Sequence, residues 1–360
     1  MSESDYLFGW SLCPGVGNVR MTEIMKQLGN AKFAWENWEQ ETGQLKWPDA
    51  FKTRISNFIS KTEIKKLVEA RDKQGIGYVS AFEDKFPHLL TNVDPVPLGL
   101  YWKGNWNNLD NNLLAVVGTR KITDYGKLVT RKLVNEMINQ NLGVISGLMY
   151  GVDEMAHKTA WENNGINVGV WAGGLDSLNE GSRAACARNV VENGGLILSE
   201  YPLTMKPMAA TFPARNRIVA GLSIGVLVVE GSEGSGTLIT AGFAASLGKP
   251  VFAVPGPITS IQSTATMALI KQGAIPVAGI EDVLAELPNI RRQNVSKKHD
   301  LNLLSDSEKI IVKCLMEDDR SIDDLVRMTK LSAGEVAGCL SVMELKDIVL
   351  RNGVNWSVNR

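Results

Sequence analysis

Between residues 113 and 288, short runs of consecutive apolar residues alternate with segments of helical periodicity. Continuous apolar strands that alternate with helices are typical of a parallel sheet covered by helices on both faces. Right-handed crossovers make such a sheet doubly wound and Rossmann-like. The predicted strands are 113–117, 143–146, 168–171, 196–198, 225–229 and 251–254, and the predicted helices cover about 124–140, the segment through 157, 183–193 and 237–247.

The segment before this sheet, residues 1–112, contains most of the tryptophans and several helical patterns. We predict a helical domain there, with a connecting segment that leads to the sheet. The glycine-rich turn Leu12-Cys13-Pro14-Gly15-Val16-Gly17-Asn18 lies between two helical stretches, as in helix–hairpin–helix modules, which present backbone N–H groups to a phosphate. A plain turn between two helices remains an equal alternative.

The segment after the sheet has two parts. Residues 289–300 are polar and lack apolar periodicity, so we predict a linker. Residues 301–360 follow the order helix, helix, helix and hairpin, which predicts a winged helix. The third helix of this unit, 332–344, contains neither Lys nor Arg, so sequence-specific DNA recognition by it is disfavoured, and a protein contact or a structural role is at least as well supported.

Charge and cysteine usage exclude several classes of protein. Lys and Arg total 38 and Asp and Glu total 39, so a polyanionic partner must meet a local basic cluster rather than a general positive field. No apolar run approaches the roughly 18 residues of a membrane helix, and the N-terminus lacks a secretion signal. Four cysteines and three histidines are scattered without metal-ligand spacing. We expect a cytoplasmic protein with no metal and no cofactor.

The ends of the predicted strands carry small residues that suit an anion. Gly118-Thr119-Arg120 combines close backbone approach with a guanidinium, although an ordinary strand-to-helix turn would look similar. Gly147 follows the second strand, and Gly234-Ser235-Gly236-Thr237 leads directly into a helix. Neither a GxGxxG fingerprint nor a Walker A lysine is present, so a dinucleotide cofactor and a P-loop are disfavoured.

A basic window without acidic residues extends from 201 to 229. Lys206, Arg215 and Arg217 lie in it, and Phe212 lies between these cations. An aromatic ring among basic residues can stack single-stranded bases while phosphates are neutralised. The alternative is that Phe212 belongs to the core and the arginines are solvated or paired.

Asp153 and His157 share a helix face at i, i+4, and we interpret that pair as structural, because no nucleophile or metal partner accompanies it.

The middle segment resembles the DNA-processing protein A family (DprA, also called Smf) over about residues 113–286. The matching motifs stand in the same order along the chain. They are 117–120 with 125–126, 146–148 with 151–153 and 156–157, 198–202, 212–223, 228–230 with 235–241, and 251–256. The flanking segments are more loosely similar to that family's SAM-like N-terminal helical domain and its C-terminal winged helix.

The resemblance implies a single-stranded DNA-binding protein of natural transformation that protects incoming strands, loads the RecA recombinase and forms homodimers. Gly118, Thr119 and Arg120 would then hold a backbone phosphate, and Arg215 and Arg217 would extend the groove. The remaining expected positions are Gly147, Lys206, Phe212 and Gly234 to Thr237 for DNA, and Met267, Leu269 and Ile270 for the dimer contact.

The chain departs from the family pattern at two places. At 178–183, Glu180 places a negative charge beside the expected groove, and Arg183 offers compensation. At Met149 and Tyr150, an arginine is absent.

An alternative hypothesis is a nucleotide phosphoribohydrolase of the lysine-decarboxylase-like (LOG) group. Thr240 stands where the catalytic glutamate of that group is found, and N-glycosidic cleavage requires a carboxylate. We therefore expect binding without catalysis. A winged-helix transcription regulator is a weaker third reading.

Overall fold

A computed structural model describes residues 1–179, 182–287, 304–317, 320–345, 348–352 and 355–358. The chain divides into two compact units, residues 1–291 and 292–360. Within the described ranges, no helix is both long enough and apolar enough to cross a membrane. The predicted linker, 289–300, lies outside them.

The first unit begins with a cluster of short helices whose core is rich in tryptophan. Trp10, Trp35 and Trp38 pack edge to face and are almost completely buried. These helices are α1 (Glu3–Leu12), α2 (Asn18–Leu28), α3 (Ala31–Glu36), α4 (Trp38–Glu41), α5 (Asp49–Ser60) and α6 (Ile64–Lys73).

A sheet of nine strands, counted over the described residues, forms the rest of this unit in the order β1-β2-β6-β5-β4-β3-β7-β8-β9. The seven strands from β6 to β9 in this order are parallel, whereas β1 and β2 pair antiparallel at one edge. The strands are β1 (Gly77–Ser80), β2 (Gly99–Gly104), β3 (Leu113–Val117), β4 (Gly143–Ser146), β5 (Asn167–Val170), β6 (Leu196–Ser199), β7 (Gly225–Val228), β8 (Val251–Ala253) and β9 (Ile275–Pro276).

The strands of the sheet centre are buried on both faces. In β3, Leu113, Ala115 and Val117 belong to one hydrophobic cluster and Leu114 and Val116 to the cluster on the other face. This explains why the strand is a continuous apolar run rather than an alternating one. The helices of the sheet are α7 (Asp124–Asn139), α8 (Val152–Glu162), α9 (Ser182–Glu192), α10 (Thr211–Leu222), α11 (Gly236–Ser246), α12 (Thr264–Lys271) and α13 (Ile280–Ala285).

The predicted doubly wound, mostly parallel sheet is confirmed, and the six predicted strands appear within one residue of their expected ends. Strands β1 and β2 were not predicted. They lie N-terminal to residue 112, so the predicted boundary at 112 falls between two strands of one sheet and does not coincide with a division into compact units. Helix α10 was not predicted either, because its sequence was interpreted through its charge.

The second unit contains α14 (Asp306–Glu317), α15 (Ile322–Thr329) and α16 (Ala333–Leu345), followed by the hairpin strands β11 (Val349–Asn352) and β12 (Asn355–Val358). A short strand, β10 (Arg320–Ser321), pairs with β12, and this strand was not predicted. The side chain of Ser321 accepts a hydrogen bond from the Asp324 N–H and caps α15. The predicted order of three helices and a hairpin is confirmed.

Candidate nucleic-acid interface

The ends of β3, β4 and β7 meet where the direction of the strand order reverses, on the two sides of β3. Open α/β sheets bind ligands at this position. A cavity of ≈ 340 Å³ lies there. It is lined by Val117, Gly118, Thr119, Arg120, Gly147, Met149, Asp153, Ala209, Phe212, Pro213, Arg215, Asn216, Val219, Ser235, Gly236, Thr237, Ile239 and Thr240, which we call the strand-end pocket.

Backbone hydrogen bonds join the loops around this pocket. The Thr119 N–H donates to the Glu230 carbonyl at 2.8 Å, and the Val152 N–H donates to the Thr119 carbonyl at 3.2 Å. Gly118 makes this approach feasible, because a Cβ there would lie 2.4 Å from Val152 Cγ2 and 2.9 Å from the Glu230 carbonyl. The three loops are therefore held together before any ligand binds.

The N-terminus of α7 is occupied by a carboxylate of the protein itself. The Thr123 N–H donates to Glu230 Oε2 at 3.0 Å and the Thr123 hydroxyl to Glu230 Oε1 at 2.5 Å. Gly126 leaves room for this carboxylate, since a Cβ there would clash with it. The helix begins at Asp124, as predicted, behind a Thr123 cap, and Gly118-Thr119-Arg120 lie in the loop before it. The N-cap of this helix already has an anionic partner, the Glu230 carboxylate.

The N-terminus of α11 differs, because it faces the pocket without such a partner. Ser235 is in the N-cap position and makes no side-chain cap hydrogen bond. Gly236 is exposed, and a Cβ there would meet no atom within 4 Å. The first-turn N–H groups of a helix lack intrahelical partners and carry a partial positive charge. Of the predicted anion-binding segment, Ser235, Gly236 and Thr237 thus form a helix start without a side-chain cap at the pocket, whereas Gly234 does not line it.

Arg120 and Phe212 lie together at the pocket. Arg120 is exposed, and its guanidinium carbon lies 5.7 Å from the centroid of the half-buried Phe212 ring. Arg120 and Arg215 are the two cations among the lining residues, and only Arg120 is exposed. Arg120 and Phe212 thus place an exposed positive charge next to a flat apolar surface.

Arg215 lines the pocket but is only 2% exposed. Its Nη1 donates to the Gly147 carbonyl at 2.5 Å and also to the Val170 carbonyl, so the side chain ties the ends of β4 and β5 together. Burial lowers the pKa of Arg215 to about 10. Burial raises the pKa of neighbouring Asp153 to about 6, and the charge of Arg215 opposes that rise. Gly147 leaves space for both groups.

Arg217 lies outside the lining of the strand-end pocket. Its guanidinium binds the Glu200 carboxylate through two hydrogen bonds of 2.6 and 2.5 Å and donates to the Pro95 carbonyl at 2.9 Å. Both side chains of this ion pair are nearly buried. The structure thus differs from the expectation that Arg217 extends a DNA groove. Lys206 is exposed on the segment between β6 and α10, and it does not line the pocket.

Asp153 and His157 do not pair with each other. His157 Nδ1 lies 2.6 Å from Asn167 Oδ1, and burial lowers the pKa of His157 to about 4, so the ring is neutral. Asp153 instead faces Ser146, the backbone of Gly147 and Arg215. Both residues stabilise the fold of the strand ends. No group of three or more potential metal ligands occurs among the described residues.

The expected dimer residues lie on α12. Leu269 is 9% exposed and belongs to the hydrophobic core, and Ile270 packs against the same cluster, while Met267 is half-buried.

Only some of the positions at which the chain departs from the family pattern lie within the described residues. Met149 lines the pocket, whereas Glu180 and the side chain of Arg183 lie outside the described residues.

Several residues that line the pocket were not predicted as binding residues. Asn216 follows Phe212 by four residues on α10, and Thr240, considered above only for the absence of a catalytic carboxylate, follows Gly236 by four residues on α11. Residues at this spacing share a helix face, so a helix assignment for 211–222 would have indicated Asn216. Ile239, 40% exposed, adds an apolar side chain to the wall.

Comparison with known proteins assigns the chain to a family. The family model described as DNA recombination-mediator protein A matches residues 77–288, and the model of the DprA winged helix domain matches residues 296–353. Protein Smf of Escherichia coli is 41% identical over 201 residues, which are 56% of this chain and 54% of that protein. The match therefore spans about half the length of this relative.

Two solved structures are similar to the chain. DNA processing protein A from Streptococcus pneumoniae has 30% identity and a TM-score of 0.59, with 75% of this chain and 97% of that chain covered. The protein of the same name from Helicobacter pylori has 27% identity and a TM-score of 0.51, with 59% and 95% covered, and its structure concerns a single-stranded DNA binding mode.

Proposed function

The chain belongs to the DNA recombination-mediator protein A family, and from this premise we propose that it binds single-stranded DNA at the strand-end pocket. The observation that carries the proposal is the meeting of exposed Arg120, the Phe212 ring and the uncapped start of α11 in one cavity. These are the two elements that such binding requires, a cationic site for phosphate and an aromatic surface for a base.

In this proposal, Arg120 and the first-turn N–H groups at Gly236 and Thr237 hold a backbone phosphate. The neighbouring base stacks on Phe212, with Met149 and Ile239 as further apolar contacts. The pocket is about 340 Å³, which suits a single splayed nucleotide rather than a duplex. Arg215 does not contact the nucleotide in this proposal but stabilises the loop after β4, because it donates a hydrogen bond to the Gly147 carbonyl.

The resemblance to the family supports three further parts of the proposal. The chain acts in the cytoplasm in DNA processing during natural transformation, protects the strand and delivers it to the RecA recombinase, and works as a homodimer. On α12, Met267 and Ile270 are the better candidates for the dimer contact, since Leu269 is committed to the core. These partners extend the DNA-binding proposal and do not alter the pocket.

We further propose that this activity is binding without catalysis. Thr240 lines the pocket on the first turns of α11, where the rival phosphoribohydrolase reading requires a carboxylate. Asp153 is the carboxylate of the pocket lining, and it lies buried against Arg215. A nucleoside monophosphate incubated with the protein is accordingly expected to release no free base.

The test is the affinity of the full chain for labelled oligo-dT, measured by fluorescence anisotropy at several salt concentrations. We expect Arg120→Ala to weaken binding about tenfold and to reduce the salt slope by about one unit, because one phosphate contact is lost. Lys121→Ala is the matched control, since Lys121 is the adjacent exposed cation and does not line the pocket. Equal effects of the two variants would contradict the assignment of Arg120.

A further inference from the structure

A second cavity of ≈ 570 Å³ lies in the first unit, between the hairpin that joins α1 to α2 and the edge of the sheet. Helix α10 separates it from the strand-end pocket. Arg215 lines the strand-end pocket and Arg217, two residues later, lines the second cavity, so they face nearly opposite sides of the helix. We call this second space the hairpin cavity. Its size is in the range of small-ligand sites.

One end of the hairpin cavity is electropositive. Helix α2 begins at Asn18 after the Gly15-Val16-Gly17 turn, and its N-cap is Gly17, which has no side chain that could cap the helix. The first-turn N–H groups of a helix have no partner within it, and here no N-cap side chain replaces one. Arg20 in the same turn is exposed, its Nη1 donates to the Gly15 carbonyl at 2.5 Å, and its guanidinium lies 4.2 Å from the Phe51 ring centroid. The other guanidinium nitrogens have no hydrogen bond among the described residues and remain available to a phosphate. The guanidinium carbon of Arg54 lies 5.8 Å from the centroid of the same Phe51 ring.

Apart from one ion pair, the rest of the cavity wall is mostly apolar. Its wall is formed by segment 95–99, with two prolines, together with Pro202 and the rings of Tyr78 and Tyr101. Burial raises the pKa of the Tyr78 hydroxyl well above its ordinary value, so the group remains a donor. That hydroxyl lies near Ser11 and Ser80, yet it makes no hydrogen bond of ordinary geometry to the residues described. Because this hydroxyl oxygen is fully buried, Tyr78 contributes its ring and not its hydroxyl to the cavity wall.

The net charge of the cavity comes from Arg20. The other charged lining residues, Glu200 and Arg217, form a two-bond ion pair and cancel each other. A ligand that fits must therefore be anionic at the hairpin and flat and mostly apolar at the other end. A nucleotide unit has this distribution, with a phosphate at one end and a base at the other.

We propose that the hairpin cavity binds one nucleotide unit, with its phosphate at the α2 N-terminus and Arg20 and its base against segment 95–99. The choice of ligand rests on the proposed function, and the site itself lies apart from the strand-end pocket. The unit is either a free nucleotide or one nucleotide of a bound strand.

The experiment uses calorimetry on the full chain with dTMP as the probe, and with thymidine and inorganic phosphate as part-ligands. We expect saturable binding of dTMP and at least tenfold weaker binding of either part-ligand. Arg20→Ala should weaken dTMP binding about fivefold or more. The matched control is Lys26→Ala, which removes an exposed cation from the same helix outside the cavity lining and should change the affinity less than twofold.

A second variant separates loss of the site from loss of the fold. Gly17 has an extended backbone, φ −109° and ψ −172°, and a Cβ there would meet nothing within 4 Å. Gly17→Asp should therefore cap α2 and raise the melting temperature, while its carboxylate takes the place of the phosphate and abolishes dTMP binding.

Oligo-dT binding by the same variants identifies the source of the nucleotide. Weaker oligo-dT binding by Gly17→Asp assigns the cavity to a strand, and weaker dTMP binding with unchanged oligo-dT affinity assigns it to a free nucleotide. If neither probe responds to Gly17→Asp and Arg20→Ala more than to Lys26→Ala, the inference is overturned. If the wild-type chain binds dTMP at this site but does not bind oligo-dT, the proposed function fails and this inference stands.

Discussion

Two helices of the sheet, α7 and α11, begin at the same edge, on either side of the switch in strand order, and their N-termini are used in different ways. The first turn of α7 faces the Glu230 carboxylate, whereas that of α11 faces the strand-end pocket with no side-chain cap. Both follow loops with glycine, hydroxyl and charged residues, so the local sequences look alike. The difference comes from a residue 107 positions away from Thr123. A helix start binds an external anion only if the fold leaves it without an internal one.

The largest expected effect follows from removing the internal anion of α7. Glu230→Ala leaves the N–H and hydroxyl of Thr123 without their partner beneath a packed loop. We expect the free energy of unfolding, measured by urea denaturation, to fall by about 3 kcal/mol. Glu233→Ala, an exposed carboxylate of the same loop, should change it by less than about 0.5 kcal/mol. If both variants lost the same unfolding free energy, the hydrogen bonds of Glu230 to Thr123 would not be what stabilises the start of α7.

The next effect follows from giving α11 the internal anion that it lacks. Gly236→Asp places a carboxylate in the first turn, where a Cβ has open space. We expect the free energy of unfolding to rise by about 1 kcal/mol, through helix propensity and the dipole, and oligo-dT affinity to fall about tenfold. Gly236→Ala provides the propensity gain without the charge. Its affinity should stay near that of the wild type, and a comparable fall would attribute the effect to shape rather than charge.

The smallest effect concerns pH and the buried carboxyl of the pocket floor. Burial raises the pKa of Asp153 to about 6 in the folded chain, above its value in the unfolded chain. The native state therefore binds more protons than the unfolded state between about pH 4 and pH 6. The protonated Asp153 stabilises the fold below this window, and that stabilisation is lost as the pH rises through it. We expect the wild type to lose about 1 kcal/mol between pH 5 and pH 7 relative to Asp153→Asn.

Urea denaturation of both proteins at pH 5, 6 and 7 measures this difference. Asp153→Asn keeps the shape of the side chain beside Arg215 but removes its ionisation. Parallel pH profiles for the two proteins would show that the carboxyl does not change its protonation over this range. Both profiles are compared with that of Glu233→Gln, which removes an exposed carboxyl outside the pocket.

The sheet could be predicted from the sequence because its central strands are buried on both faces. A strand such as β3 must then be apolar at every position, and five consecutive apolar residues are easy to identify. Strands β1 and β2 contain glycines and half-buried positions and give no such run. Strand β1 joins the sheet only through β2, and β2 pairs with β6, about 100 residues further along the chain.

The candidate site was predicted in position more accurately than in detail. Strand ends and small residues indicated the edge of the sheet, and Gly118, Arg120, Phe212 and Gly236 do line one pocket there. The roles of Arg215 and Arg217 on α10 could not be predicted, because a pattern of charges along the sequence does not show which side chains are buried. The acid-free window that suggested a basic patch begins at residue 201, and Glu200, the partner of Arg217, lies just before it.

The backbone hydrogen bonds from Thr119 to Glu230 and from Val152 to Thr119 have a consequence for how binding is divided between the two partners. Loops that are already fastened to one another lose little conformational entropy when a ligand arrives. In the proposed complex, the cost of ordering then falls on the nucleic acid, which must unstack a base and hold its backbone still. A flexible pyrimidine strand meets that cost more easily than a stacked purine strand, so a rigid pocket without base-specific contacts can still prefer one sequence over another.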